Sequence, residues 1–209
     1  RSCFVTGGAV MIDHLIHLYQ RGAQPFRSLS ALPDEDAERI MRSLFRAGSV
    51  YWERFEDAAA YLQMRRQTED WLRCDFQARG GCPKERYPIY MVLGRTKWMQ
   101  AAIDPATVAT TAEIEVPLAL FEPCDISFTY PDSMVSAMLA SQQDPAYYLP
   151  EYHGRVFTLS EISTIIEMHG LPGETWGTTL PSHLANYIEA QVWNRLPLLE
   201  FQRALGFRG

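Results

Sequence analysis

The chain has 209 residues, of which 47% are hydrophobic, and it carries a formal net charge of −6. A chain of this length can bury a sizeable core without disulfides or metal, so we expect one globular domain. The acidic balance argues against nucleic acid or an anionic membrane as the partner, since both require a basic surface. Because no apolar run approaches the length of about 20 residues that spans a bilayer, we expect a cytoplasmic protein.

The best candidates for a local basic cluster within this acidic chain are Arg65 and Arg66. However, Glu69 and Asp70 follow within one helical turn. Opposite charges at this spacing are typical of a solvated, salt-bridged helix face, and this is how we interpret the group.

The first segment, residues 1–10, lacks the hydrophobic region of a signal peptide. We expect it to be an upstream extension, with Met11 as the natural start and a single domain over residues 11–209. The nine residues from Met11 onward are apolar with two histidines interspersed, which is compatible with a strand or with a short helix. Arg21-Gly22 then lies in a predicted loop.

Two helices are predicted in the front half of the chain. Pro33 opens the first, where carboxylates fill the first turn and an apolar stripe at helical spacing continues to Phe45. We expect Gly48 to end this helix. The second runs from Asp57, a suitable N-cap, to Gln77, after which two glycines and a proline stop it.

Strands are predicted from residue 87 onward. Alternating apolar residues predict buried strands at 87–93 and 112–118, a third strand at 125–130 and a short fourth strand at 155–157. A capping box beginning at Thr158 then predicts a helix. This order of elements predicts the α+β class, with a helix-rich N-terminal half packed on a mixed or antiparallel sheet from the C-terminal half.

The segment 182–199 fits either a helix or a strand. On spacing alone the helix is favoured, and Glu189 would then face water. As a strand, 187–193 would place Glu189 and Gln191 on one face between two aromatic rings, which is typical of the polar floor of an apolar pocket.

A second polar motif is Phe128-Thr-Tyr-Pro-Asp-Ser133. A strand that runs into this sequence would present the Asp132 carboxylate and the Ser133 hydroxyl at its end, available to a ligand. The alternative, which the residue types favour, is turn chemistry with Asp132 or Ser133 as the N-cap of a helix over 134–140.

The pattern His14-x-x-His17 would form a metal-binding pair on a helix. No third ligand stands at a recognisable spacing, so we expect two ordinary histidines and no metal. A metal-dependent hydrolase would require four side chains to converge: His14, His17, Asp132 and His153.

The cysteines form no C-x-x-C pair. A disulfide, a zinc site or a nucleophile would be functional interpretations, whereas small buried thiols are favoured. The chain contains four of them: Cys3, Cys74, Cys82 and Cys124.

Two motifs in this order, Phe128-Thr-Tyr-Pro-Asp-Ser133 and Tyr187-Ile-Glu-Ala-Gln-Val-Trp193, resemble an uncharacterised bacterial family. In that family a threonine- and aromatic-rich strand ending in Asp-Ser precedes a strand centred on Glu-Ala-Gln, although Pro131 stands here in place of a glycine. The order of elements is also similar to the ADP-ribosyltransferase plan. In that plan an early His-Gly or Arg-Gly motif, a middle hydroxyl or aromatic residue and a late glutamate act together.

The resemblance implies an NAD-using enzyme that modifies an unknown protein target or a small-molecule nucleotide. Glu189 would hold the ribose and stabilise the oxocarbenium character that develops when the nicotinamide bond breaks. Arg21 would meet the pyrophosphate or ribose, and Tyr130 would stack on nicotinamide. The implied catalytic residues are Glu189 and Ser133, and the implied cofactor-binding residues are Arg21, Gly22, Tyr130, Asp132 and Gln191.

The rival hypothesis is a non-catalytic binding or immunity-type interaction protein, in which the aromatic content of 12% serves an interface. A large separation between Glu189 and Ser133, with no cleft between them, would favour this rival.

Overall fold

The computed structural model describes residues 12–49, 52–96, 98–99, 105–172, 180–181 and 183–207. These residues form an α+β fold, which confirms the predicted class. The strands are β1 His14–Gln20, β2 Ile89–Leu93, β3 Thr111–Pro117, β4 Ile126–Thr129 and β5 Glu189–Val192. The helices are α1 Asp34–Leu44, α2 Ala58–Ala78, α3 Pro105–Thr110, α4 Ser133–Gln142, α5 Leu159–His169 and α6 Leu196–Ala204.

The five strands make one antiparallel sheet in the order β3-β1-β2-β5-β4. Strand β1 comes from the N-terminal segment and lies inside the sheet, so the strand interpretation of that segment is confirmed. Its neighbouring residues Leu15 and Ile16 project to opposite faces and are both fully buried. The sheet therefore draws one interior strand from the helix-rich front of the chain.

Two of the strand predictions are wrong in detail. Segment 112–118 forms a strand, but in β3 only Val116 is buried, because β3 lies at the edge of the sheet. Segment 155–157 forms no strand, since it meets the sheet only through an isolated bridge between Phe157 and Phe128.

The sheet carries helices on both faces. Alternate residues of β4 and β5, among them Phe128 and Ala190, pack in the main hydrophobic core with Ile162 of α5 and Leu198 of α6. The opposite face is covered by α2, whose Leu72 and Phe76 pack on this side together with Trp193. Residues of β5 that point toward α2 therefore lie between two layers.

The structure confirms the two helix starts that the sequence predicts from capping residues. The Asp57 side chain accepts a hydrogen bond from the amide of Ala60 and caps α2. The reciprocal hydrogen bonds of the capping box between Thr158 and Glu161 start α5. Helix α1 ends before Gly48, however, because the backbone turns to an extended conformation at Phe45.

Three cysteines lie in the described part of the chain, and the expectation of buried thiols is wrong for them. Cys74 and Cys82 are exposed and Cys124 is partly exposed, since all three lie at the periphery of the fold. Cys3 lies outside the described residues. No helix in the described ranges is long and apolar enough to cross a membrane.

Candidate functional site

A cavity of about 830 Å³ lies between the α2 face of the sheet, α2 itself and the start of α4. Its walls are mainly apolar and aromatic: Leu44, Trp52, Phe55, Tyr61, Met134 and Met138. Polar and charged side chains complete the lining, among them Glu53, Glu56, Asp57, Asp132, Ser133 and Glu189. This size and this combination of apolar walls with converging polar groups are typical of a small-molecule site.

Glu189 is the first residue of β5 and is buried. The helix interpretation, in which this side chain faces water, is therefore wrong. The reason is tertiary: Glu189 pairs with Val92 of β2 on one side and with Thr129 of β4 on the other. Two flanking strands hold the segment extended, although its own spacing also fits a helix.

The Glu189 carboxyl group is fixed by two donors. The backbone N–H of Ser133 donates to Oε1 at 3.0 Å, and Nε2 of Gln191 donates to the same oxygen at 3.1 Å. Ser133 begins α4, so the carboxyl group lies at the positive end of that helix, which favours the ionised form. Burial and the nearby carboxyl group of Asp132 outweigh this effect and raise the pKa of Glu189 to about 7.

Asp132 has two roles in the geometry. Its Oδ1 accepts from the amide of Val135 at 2.9 Å, so it is the N-cap of α4, as the turn interpretation predicts. It also lines the cavity and is largely buried. Burial raises the pKa of Asp132, while the hydrogen bond from Val135 opposes the shift. Two carboxyl groups with raised pKa values thus share one end of the cavity.

A buried series of side-chain hydrogen bonds, called the ladder below, runs along β4 and β5 from Trp193 to Glu189. Nε1 of Trp193 donates to Oγ of Ser127 at 2.8 Å, and this hydroxyl donates to Oε1 of Gln191 at 2.9 Å. Nε2 of Gln191 then donates to Oγ1 of Thr129 at 2.9 Å as well as to Glu189. Because both the oxygen and the nitrogen of the Gln191 amide are hydrogen-bonded, its N–H group is held toward the carboxyl group of Glu189.

The hydroxyl groups in this ladder were not predicted as site residues. The alternation of side chains in the predicted strand 125–130 does indicate them, because it places Ser127 and Thr129 together on the face opposite Phe128. Their pairing with β5 in the register Ser127 to Gln191 and Thr129 to Glu189 depends on contacts between distant parts of the chain.

A buried ion pair from α2 adjoins the cavity. Nε of Arg65 donates to Oε1 of Glu69 at 3.1 Å and to Oγ of Ser30 at 3.0 Å. The guanidinium group also lies 4.4 Å from the centre of the Tyr90 ring. The prediction of a solvated helix face is wrong for this pair, because the sheet and the segment around Ser30 enclose it. Burial and the charge of Glu69 raise the pKa of Tyr90 well above its usual value.

The remaining predicted site residues lie away from the cavity. The Arg21 side chain donates to the carbonyl oxygen of Thr111 at 3.0 Å, and neither Arg21 nor Gly22 lines the cavity, although their neighbour Gln20 does. Tyr130 is fully buried on the opposite face of the sheet, where its hydroxyl group donates to Oδ1 of Asn186 at 3.0 Å. The structure thus brings together four of the seven predicted residues: Asp132, Ser133, Glu189 and Gln191.

The two early histidines belong to a strand, so the helical metal pair does not form. His17 is buried, its Nε2 accepts from the amide of Phe26 at 2.9 Å, and burial lowers its pKa to about 4. His14 lies instead beside Asp13. Over the described ranges, no group of three or more His, Cys, Asp or Glu side chains is arranged to hold a metal ion.

The fold and the site together define an α+β protein with a small-molecule-sized cavity around a buried glutamate. No family model matches the chain, and neither curated proteins nor solved structures give a significant match.

Proposed function

We propose that this protein is an enzyme that binds a small organic molecule in the cavity and acts on it through Glu189. The observation that carries this proposal is an ionisable carboxyl group, with a pKa raised to about 7, in an otherwise mainly apolar cavity. An ionisable group with a strongly shifted pKa in a cavity is typical of a functional site, and the ionised form of this carboxyl group is populated near neutral pH.

The substrate class we propose is an NAD-type nucleotide, as the resemblance to the ADP-ribosyltransferase plan implies. The aromatic walls at Trp52 and Tyr61 would contact planar rings. Arg27 and Arg54 also line the cavity and would supply the positive charge that a pyrophosphate requires. In this proposal they take the role first expected of Arg21, which does not line the cavity.

The reaction we propose is cleavage of the bond between nicotinamide and ribose. The bonding electron pair leaves with nicotinamide, and the ribose carbon becomes electron-deficient until water or a target nucleophile adds to it. An ionised Glu189 would stabilise this positive character. The N–H of Ser133 and the amide of Gln191 would hold the carboxylate in place. Since the carboxylate is the active form, the rate should rise with pH through about 7.

The test combines NAD binding with release of nicotinamide. We expect NAD to raise the melting temperature of the wild type and to be cleaved slowly, and Glu189→Gln to abolish cleavage. Gln retains an acceptor for both donors, so this variant should stay folded. The exposed Glu200→Gln variant is the matched control and should behave as the wild type. Absence of both binding and nicotinamide release in the wild type would refute the NAD proposal.

A large separation between Glu189 and Ser133, with no cleft between them, would favour the rival, a non-catalytic binding or immunity-type protein. The hydrogen bond of 3.0 Å between them and their common cavity argue for the enzyme instead. The mainly apolar lining nevertheless suits a protein that only binds its ligand. Binding that depends on the cavity residues Tyr61 and Met138, without any turnover of the ligand, would identify this second function.

A further inference from the structure

Two cysteines meet at the edge of the fold, well separated in sequence. Cys82 lies in the turn after α2, and Cys124 lies just before β4. The backbone N–H of Cys82 donates to the carbonyl oxygen of Cys124 at 2.7 Å. This contact joins two segments that the sequence places 42 positions apart.

The backbone contact limits the separation of the two residues. With standard bond lengths, a hydrogen bond of 2.7 Å between these atoms keeps the two Cα atoms within about 6.5 Å of each other. Disulfides form at Cα separations of about 4.4–6.8 Å. No large movement of the backbone is therefore needed to join the two side chains.

Both side chains can be reached from solvent. Sγ of Cys82 donates to the carbonyl oxygen of Gly80 at 3.9 Å, and burial together with the neighbouring Cys82 thiol raises the pKa of the Cys124 thiol. Cys82 is exposed and Cys124 is partly exposed. Cys82 is therefore the thiol that a dissolved oxidant reaches first, and Cys124 is placed behind it.

We propose that Cys82 and Cys124 form a dithiol site that hydrogen peroxide converts into an intramolecular disulfide. The Cys82 sulfur attacks the peroxide, the O–O bond breaks, and a sulfenic acid and one water molecule form. The Cys124 sulfur then displaces the sulfenic hydroxyl group, which leaves as a second water molecule, and the S–S bond forms. The two thiols lose two electrons and two protons, and the peroxide gains them.

The disulfide ties the end of α2 to the start of β4. It closes a loop between positions 42 apart, which restricts the unfolded chain far more than the folded one. For a loop of this length in a chain of this size, we expect the melting temperature to rise by about 8–16 °C. A thiol reductant should reverse the increase.

The experiment treats the full chain with hydrogen peroxide and follows it by intact mass, peptide mapping and thermal unfolding. We expect a loss of two hydrogen atoms, a peptide that links Cys82 to Cys124, and a higher melting temperature. The variant Cys74→Ser is the matched control, because Cys74 is also exposed but lies within α2, and it should behave as the wild type.

The variants Cys82→Ser and Cys124→Ser should form no internal link and show no increase in melting temperature. The peptide map of the oxidised wild type does not depend on whether these variants fold. The proposal is overturned if the link joins Cys3 or Cys74, if only intermolecular disulfides form, or if both thiols oxidise further without joining.

Discussion

The stability of this protein should depend on the ionisation of Glu189. Burial and the charge of Asp132 raise the pKa of this carboxyl group from 4.5 to about 7 in the folded state, so the folded protein holds the proton more tightly than the unfolded chain. The stability that this difference contributes is fully present below pH 4.5. It is lost as the pH rises through about 7, because the folded state must then contain a buried charge.

The magnitude follows from the size of the difference. A pKa raised from 4.5 to about 7 corresponds to about 3 kcal/mol of unfolding free energy between pH 4.5 and pH 8. Glu189→Gln removes this ionisation but keeps an acceptor for the N–H of Ser133. The variant should therefore match the wild type near pH 4.5 and exceed its stability by about 3 kcal/mol at pH 8, or about 6–12 °C in melting temperature.

The assay is urea denaturation of the wild type and the variant at half-unit intervals between pH 4.5 and pH 8. Titrating groups that do not interact with Glu189 are common to both proteins and cancel in the difference, whereas Asp132 loses a neighbouring charge in the variant. The exposed Glu200→Gln variant serves as the control and should show no pH-dependent difference. A difference between Glu189→Gln and the wild type that stays constant over this range would refute the reasoning.

Three further predictions follow from individual contacts. Asp132→Asn keeps the N-cap acceptor of α4 but removes the carboxyl charge that, together with burial, raises the pKa of Glu189. A carbon-13 NMR titration should therefore place the pKa of Glu189 below the wild-type value. An unchanged pKa would show that Asp132 does not contribute to the shift. Trp193→Phe keeps a ring in the core but removes the hydrogen-bond donor to Ser127, and should lower the free energy of unfolding in urea by about 1–3 kcal/mol. An unchanged free energy of unfolding would mean that this ladder of hydrogen bonds does not stabilise the fold. Gly154→Ala should lower the free energy of unfolding by at least about 2 kcal/mol, because it strains a left-handed backbone conformation and forces a methyl group against an alanine of α4. A melting temperature equal to that of the wild type would show that the two segments are not packed this closely.

The part of the fold that could be predicted is the part that local interactions determine. The Asp57 cap of α2 and the capping box at Thr158 act over three or four residues, so their sequence patterns identify the helices. The burial of a strand depends instead on its place in the sheet. Segment 112–118 has the same alternation as a buried strand, but among the strands that the structure describes β3 pairs with β1 alone and lies at the edge of the sheet.

The same division applies to the candidate site. The motifs that end in Ser133 and contain Glu189 were identified in the sequence because each groups polar residues beside a strand. Their meeting in one cavity depends on the pairing of β4 with β5, which joins positions about 60 residues apart. Arg65 was missed because an arginine four residues before a glutamate is typical of an exposed helix surface, and only the tertiary packing buries it.

The hydrogen bonds around Glu189 bear on whether its charge is needed for the fold. Both donors to Oε1, the N–H of Ser133 and the amide of Gln191, would be accepted equally well by a glutamine. The other hydrogen bonds of the ladder join uncharged side chains, those of Gln191, Ser127 and Trp193. Burial and the charge of Asp132 make the ionised form of Glu189 unfavourable above pH 7, although this carboxylate also interacts with the buried guanidinium group of Arg65. Residues that reduce stability in a cavity are typical of functional sites, and the chemical role proposed for Glu189 would account for this cost.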